Sequence, residues 1–316
     1  MHTESPAPEW STLARPDATI SWCRWPAPAG EPVGRILVAH GASEHAARYS
    51  RFAGIAADAG WAVYGVDHRG HGTTAAEHGA FGIARPGGWE AMVDDLIALA
   101  DHLRDEQPPL PLVLLGHSMG SLLAQRVMQR AGDRFAGVVL SGTSGGLEGA
   151  SELEAILRAV EDAEGADQPS QLWAGVFAGF NEPFADRTPE PTGYEWLSRD
   201  DEEVARYVAD PWCGSDLSNG FVTDMIVGMA AMWQPDAEAA IPDDLPILLI
   251  AGDQDPVGGF GESVQELHDR HAAAGRGPLE IRLYPQARHE LLNETNRDEV
   301  HADLLAWLGN LNGPAI

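Results

Sequence analysis

The most constraining stretch of this chain spans residues 111–124. A short apolar run, Leu112-Val113-Leu114-Leu115, ends in Gly116-His117-Ser118-Met119-Gly120 and passes straight into the helix-forming Ser121-Leu122-Leu123-Ala124. A strand that turns at once into a helix brings the two backbones close together, and glycines at Gly116 and Gly120 remove the Cβ atoms that would block this. Ser118 is thereby set beside a helix N-terminus, where free N–H groups and the positive dipole end favour a developing oxyanion. The chain holds a second match, Gly142-Thr143-Ser144-Gly145-Gly146, also behind an apolar run. It continues into Leu147-Glu148-Gly149, which cannot start a helix immediately, so Ser144 reads as a loop residue.

Apolar, β-rich runs recur at residues 18–25, 35–40, 61–67, 112–116, 135–141, 247–252 and 280–284. The central ones are continuous Val/Ile/Leu runs, as expected of strands covered on both faces. Helical patterns lie between them. One is 88–104, whose Trp89, Met92, Val93, Leu96, Leu99 and Leu103 fall on one face. This alternation predicts a mostly parallel, doubly wound α/β sheet, with the first run antiparallel and at the edge. The rhythm breaks between about 145 and 240. Helical patterns at 151–163, 171–180, 194–209 and 217–233 suggest a helical lid at 145–240, inserted into a core of 1–144 and 241–316.

A serine hydroxyl needs a base to take its proton and an acid to orient that base, and on this type of sheet both follow the nucleophile in the chain. The run 247–252 leads into Asp253-Gln254-Asp255, where Asp255 is the preferred acid and Asp253 its rival. The next run, 280–284, leads into Arg288-His289-Glu290 and offers His289 as base. His268, His271 and His301 sit in helical sequence among charged neighbours and read as solvated. The second oxyanion donor, beside the N–H of Met119, is expected from Ala42 in the loop after 35–40, with His40 structural. Asp67-His68-Arg69-Gly70-His71-Gly72 has two histidines but no cluster to complete a metal site, so it reads as a polar-pinned turn and no metal or cofactor is expected.

A net charge of −28, with 20 arginines and no lysine, opposes binding to nucleic acid and to anionic headgroups. No apolar run reaches the length of a membrane span. Two cysteines and an N-terminus without a basic, then apolar, leader point to a reducing, cytoplasmic setting. The oligomeric state stays open.

Taken together, His40-Gly41-Ala42-Ser43-Glu44-His45 with Arg48-Tyr49, Asp67-His68-Arg69-Gly70-His71-Gly72, Gly116-His117-Ser118-Met119-Gly120, Gly252-Asp253-Gln254-Asp255 and Arg288-His289-Glu290 resemble the α/β-hydrolase superfamily. The branch is that of monoacylglycerol lipases, lysophospholipases and serine-aminopeptidase-like hydrolases. The resemblance covers roughly residues 34–310 and implies an α/β-hydrolase fold with a helical cap. It implies Ser118, Asp255 and His289 as triad, Ala42 and Met119 as oxyanion donors, and Glu44 and Arg48 at the polar end of the pocket. Beside the nucleophile, His117 joins the substrate-binding candidates. Apolar stripes in the lid, among them Phe177, Met225 and Met229, suit an acyl chain.

The reading is a serine hydrolase acting on a small-molecule ester or lipid with an apolar acyl part. One alternative is a peptidase with the same triad, in which Glu182, Glu195 or Asp224 would hold the substrate ammonium. The other is a non-catalytic binding protein on this scaffold, although no triad member is missing.

Overall fold

The structure, a computed structural model, describes residues 6–77, 79–85, 87–146, 149–187 and 190–311. Its strands are β1 (Glu9–Ala14), β2 (Thr19–Arg24), β3 (Gly34–Ala39), β4 (Trp61–Val66), β5 (Leu112–His117), β6 (Gly137–Ser141), β7 (Ile247–Gly252) and β8 (Leu279–Tyr284). They form one sheet in the order β1-β2-β4-β3-β5-β6-β7-β8. From β4 to β8 every pairing is parallel, whereas β1 and β2 are antiparallel. Strands β3, β5, β6 and β7 are buried at every position. Their continuous apolar runs are what a strand covered on both faces requires.

The helices are α1 (Ser50–Asp58), α2 (Gly72–Ala76), α3 (Gly88–Asp105), α4 (Met119–Ala131), α5 (Ala150–Glu164), α6 (Gln171–Asn181), α7 (Asp201–Ala209), α8 (Asn219–Met232), α9 (Pro235–Glu238), α10 (Glu262–Ala273) and α11 (Arg297–Leu311). One apolar core lies between the sheet and the side chains of α3, α4 and α8. The other lies on the opposite face, where Phe52, Ala53 and Ala56 of α1 meet Val300, Leu304 and Trp307 of α11. No helix is long and apolar enough to cross a membrane among the described residues.

Three expectations need correction. The antiparallel first run, β2, is not the edge strand, because β1 pairs outside it. β1 is exposed at five of six positions and so carries no apolar alternation to reveal it. The helix expected at 194–209 is broken: a single turn, Glu195–Leu197, precedes α7, which Asp200 starts afresh by accepting Glu202 N–H. His271 and His301 are buried rather than solvated, His271 beside the Arg276 guanidinium and His301 packed on Phe52.

β3 is followed by a crossover to β4 on one side, while β5 leads to β6 on the other. The loops at the carboxyl ends of these strands therefore diverge and leave a crevice, the usual ligand position in an open α/β sheet. Between β6 and β7, α5, α6 and α8 each contribute side chains to the cavity that Ser118 lines.

Candidate active site

Ser118 stands between β5 and α4 with φ 53° and ψ −123°, a conformation that side chains rarely adopt. The turn is held by Ser118 N–H donating to Ser141 O at 2.9 Å and by Ser121 Oγ donating to Ser118 O at 2.6 Å. A Cβ on Gly120 would fall inside the van der Waals shell of Ala39 O and His40 O, and one on Gly116 inside that of Gly120 O. Glycine is required at both.

Asp255 and His289 arrive on the loops after β7 and β8. His289 Nδ1 lies 2.9 Å from Asp255 Oδ2, and Asp255 Oδ1 accepts Val257 N–H at 2.9 Å. Both side chains are removed from solvent, at 0% and 1% exposure. Burial pushes the imidazole pKa down, but the charge and hydrogen bond of Asp255 outweigh it, so His289 stands above its ordinary value. With Nδ1 committed to Asp255, the buried Nε2 has no hydrogen-bond partner among the described residues. His289 and Ser118 line one cavity of about 350 Å³. Asp253, the rival acid, instead accepts Gln286 N–H at the surface.

The imidazole is packed between rings, with His117 at 4.6 Å and Trp196 at 4.9 Å between centroids. Burial first, then the neighbouring His289, pulls His117 down to about 4, so it is neutral near pH 7. Trp196 belongs to the turn after α6. Its carbonyl accepts His289 N–H at 3.4 Å, and Leu197 O accepts Glu290 N–H at 2.7 Å. Nothing in the local sequence of Trp196 announces this contact.

Ala42 and Met119 also line the cavity, and their backbone N–H groups take no protein acceptor among the described residues. The loop carrying Ala42 is fixed from below. His40 Nε2 accepts His68 N–H, which leaves its proton on Nδ1 for Gly41 O at 2.7 Å. His71 Nε2 accepts Ser43 N–H, and Asp67 accepts the N–H groups of Ala46 and Thr73. His40 and His71 thus act as hydrogen-bonding pins for the turns, whereas the buried ring of His68 has no hydrogen-bond partner among the described residues.

The cavity has two unlike ends. Leu153, Trp173, Val176, Phe177, Met225, Ile226 and Met229 form an apolar wall from α5, α6 and α8. Glu44, Glu290 and His117 supply the polar part. Arg48 does not line it, contrary to expectation. Its guanidinium lies behind, bonded to Glu44 Oε2 at 2.5 Å and bidentately to Glu290 at 2.6 and 2.7 Å. Glu44 also accepts Gly41 N–H and Tyr49 OH. Burial opposes its ionisation, but Arg48 and these donors hold its carboxyl below the usual range. Glu290, quoted in the sequence motif without a role, was legible only as the neighbour of His289.

The carboxylates proposed for a peptidase do not reach the cavity. Glu195 is buried and bonded to Asn181 and Thr192, and neither Glu182 nor Asp224 is among the lining residues. Ser144 sits in a loop and lines the cavity, with its hydroxyl 3.1 Å from Ser263 Oγ. Leu147 and Glu148 lie outside the described residues.

Residues 30–296 match the family described as Hydrolase_4: Serine aminopeptidase, S33. A monoacylglycerol lipase of Mycolicibacterium smegmatis is 29% identical over 89% of this chain and 90% of its own. A monoglyceride lipase of Mus musculus is 28% identical over 77% of this chain and 72% of its own. Among solved structures, a highly thermostable carboxyl esterase from Bacillus coagulans, in complex with glycerol, superposes with a TM-score of 0.88 at 27% identity. That alignment covers 97% of this chain and 99% of the esterase.

Proposed function

The chain belongs to the Hydrolase_4 (serine aminopeptidase, S33) family of α/β-hydrolases, in its monoacylglycerol-lipase-like branch, and on that premise we propose that it is a serine hydrolase of carboxylic esters with an apolar acyl group. Monoacylglycerol-like or lysophospholipid-like esters are the substrates. Residues 1–144 and 241–316 form the hydrolase core, and 145–240 form a cap that supplies the acyl wall.

The observation that carries the reading is a buried Asp255–His289 pair with a free Nε2, sharing a cavity with a strained serine at a helix N-terminus. In the first half-reaction His289 Nε2 takes the Ser118 proton as Oγ attacks the ester carbonyl. The oxyanion is stabilised by the N–H groups of Met119 and Ala42, and the alcohol leaves with the proton held by His289. In the second, His289 activates water against the acyl-enzyme and returns the proton to Ser118. Asp255 stays ionised and keeps the imidazole in the tautomer whose Nε2 is free to accept.

The test is Ser118→Ala assayed on a short p-nitrophenyl ester. The variant should fold as wild type does and lose hydrolysis. Turnover near the wild-type rate would reject the mechanism. An aminoacyl-amide assayed alongside should be cleaved far more slowly than the ester, since among the described residues no carboxylate lines the acyl part of the cavity.

A further inference from the structure

The polar end of the cavity is negatively charged in a lopsided way. Glu44 and Glu290 both line the cavity, while the one cation between them, Arg48, is absent from its wall. Arg48 instead borders a separate, open groove on the outer surface, together with Arg51, Glu203 and Asp210. Two carboxylates against one guanidinium leave a net charge of −1 beside a cavity whose other lining residues are mostly apolar or aromatic. Each carboxylate keeps acceptor capacity: Glu44 Oε2 and Glu290 Oε1 each take one hydrogen bond, both from Arg48. Trp196 adds an aromatic ring to the same lining, whereas the Tyr207 ring already carries the Arg48 guanidinium 4.9 Å from its centroid. His117 is neutral near pH 7 and contributes no compensating charge.

This end lies next to the reacting centre. A Cβ built on Gly41 would stand 2.9 Å from Glu44 Oε1 and 3.0 Å from Ser118 Cβ, so the carboxylate and Ser118 Cβ are at most about 6 Å apart. The acyl chain belongs with the apolar wall, which leaves the alcohol part of the ester at the carboxylates. We propose that this subsite selects esters whose alcohol carries a positive charge, such as a quaternary ammonium alcohol, over neutral isosteres, and that it disfavours alcohols whose only charge is a phosphate. The inference rests on the ester-hydrolase reading and narrows its substrate class. The physical basis is direct attraction to the uncompensated carboxylate charge, with cation–π contact to Trp196 beside it. At about 6 Å and an effective dielectric near 20, one net charge changes an equilibrium constant by roughly a hundredfold, and the solvent access of the site reduces this to about tenfold.

The experiment compares three esters with the same acyl chain: the choline ester, its uncharged carbon isostere the 3,3-dimethylbutyl ester, and the 2-phosphoethyl ester. For wild type, kcat/KM should be about tenfold higher for the choline ester than for the isostere, with the phosphorylated ester slowest. Glu290→Gln leaves Glu44 and Arg48 balanced and should bring the first ratio close to one. Free choline should also inhibit wild type competitively at lower concentration than 3,3-dimethylbutanol. That arm needs no variant and decides the matter even where Glu290→Gln fails to fold. Equal or faster turnover of the uncharged ester, equal inhibition by the two alcohols, or an unchanged ratio in a folded Glu290→Gln overturns the inference alone. Hydrolysis of none of the three overturns the reading on which it rests.

Discussion

Asp255→Asn is the sharpest test of how His289 is made into a base. The exchange keeps the shape of the side chain and removes one charge. Asp255 Oδ1 is committed to Val257 N–H, so an asparagine keeps its oxygen there and turns its NH2 toward His289 Nδ1. Nδ1 must then accept, which places the imidazole proton on Nε2, the atom that has to receive the Ser118 proton. The charge stabilisation of the imidazolium is lost as well. At the 2.9 Å separation of this pair and an effective dielectric of about 20, that loss is roughly 6 kcal/mol, or on the order of 10,000-fold in rate. Both groups are buried, so bulk solvent does little to screen the pair. The assay is kcat on a p-nitrophenyl ester across pH, with circular dichroism to verify the fold. In wild type the neutral imidazole is required and its pKa is raised, so activity should climb with pH on a limb centred above the ordinary histidine value. In the variant burial, which favours the neutral form, is opposed only by the lesser influence of Glu290 and Glu44, and the limb of the residual activity should move to lower pH. A folded variant within tenfold of wild-type kcat, or one whose acid limb does not move, would refute the reasoning.

Other outcomes follow from the same geometry. Gly120→Ala sets a Cβ against the carbonyl oxygens of Ala39 and His40, so urea denaturation should register a loss of about 3 kcal/mol or more. Arg48→Met strips the counterion from two buried carboxylates and should cost about 3–5 kcal/mol, seen as a lowered thermal midpoint at neutral pH. Met229→Trp fills part of the apolar wall; in a series of esters of increasing acyl length, the optimum should shift to shorter chains while short esters are cleaved at nearly the wild-type rate.

Much of this protein is written locally. Strand and helix periods, the glycines at 116 and 120, and the order serine, acid, histidine are short-range features. They suffice to place Ser118, Asp255 and His289 after β5, β7 and β8, because a parallel sheet brings the loops at one end of its strands together whatever lies between. The position of the loop after β3 that carries Ala42 was legible for the same reason. Folding decided what depends on partners far along the chain. Arg48 meets Glu290 across 242 residues, and only that meeting turns it away from the cavity. Trp196 reaches His289 because the chain between β6 and β7 bonds its backbone to the loop after β8. His271 and His301 are buried although their neighbours are charged, since a helix face is defined by what packs on it. β1 is a strand only because β2 offers its edge: backbone hydrogen bonds, unlike apolar burial, leave no mark on side-chain choice. Local pattern thus determines which elements form and in what order, while the charge balance at the cavity's polar end arises only when distant groups share one desolvated space.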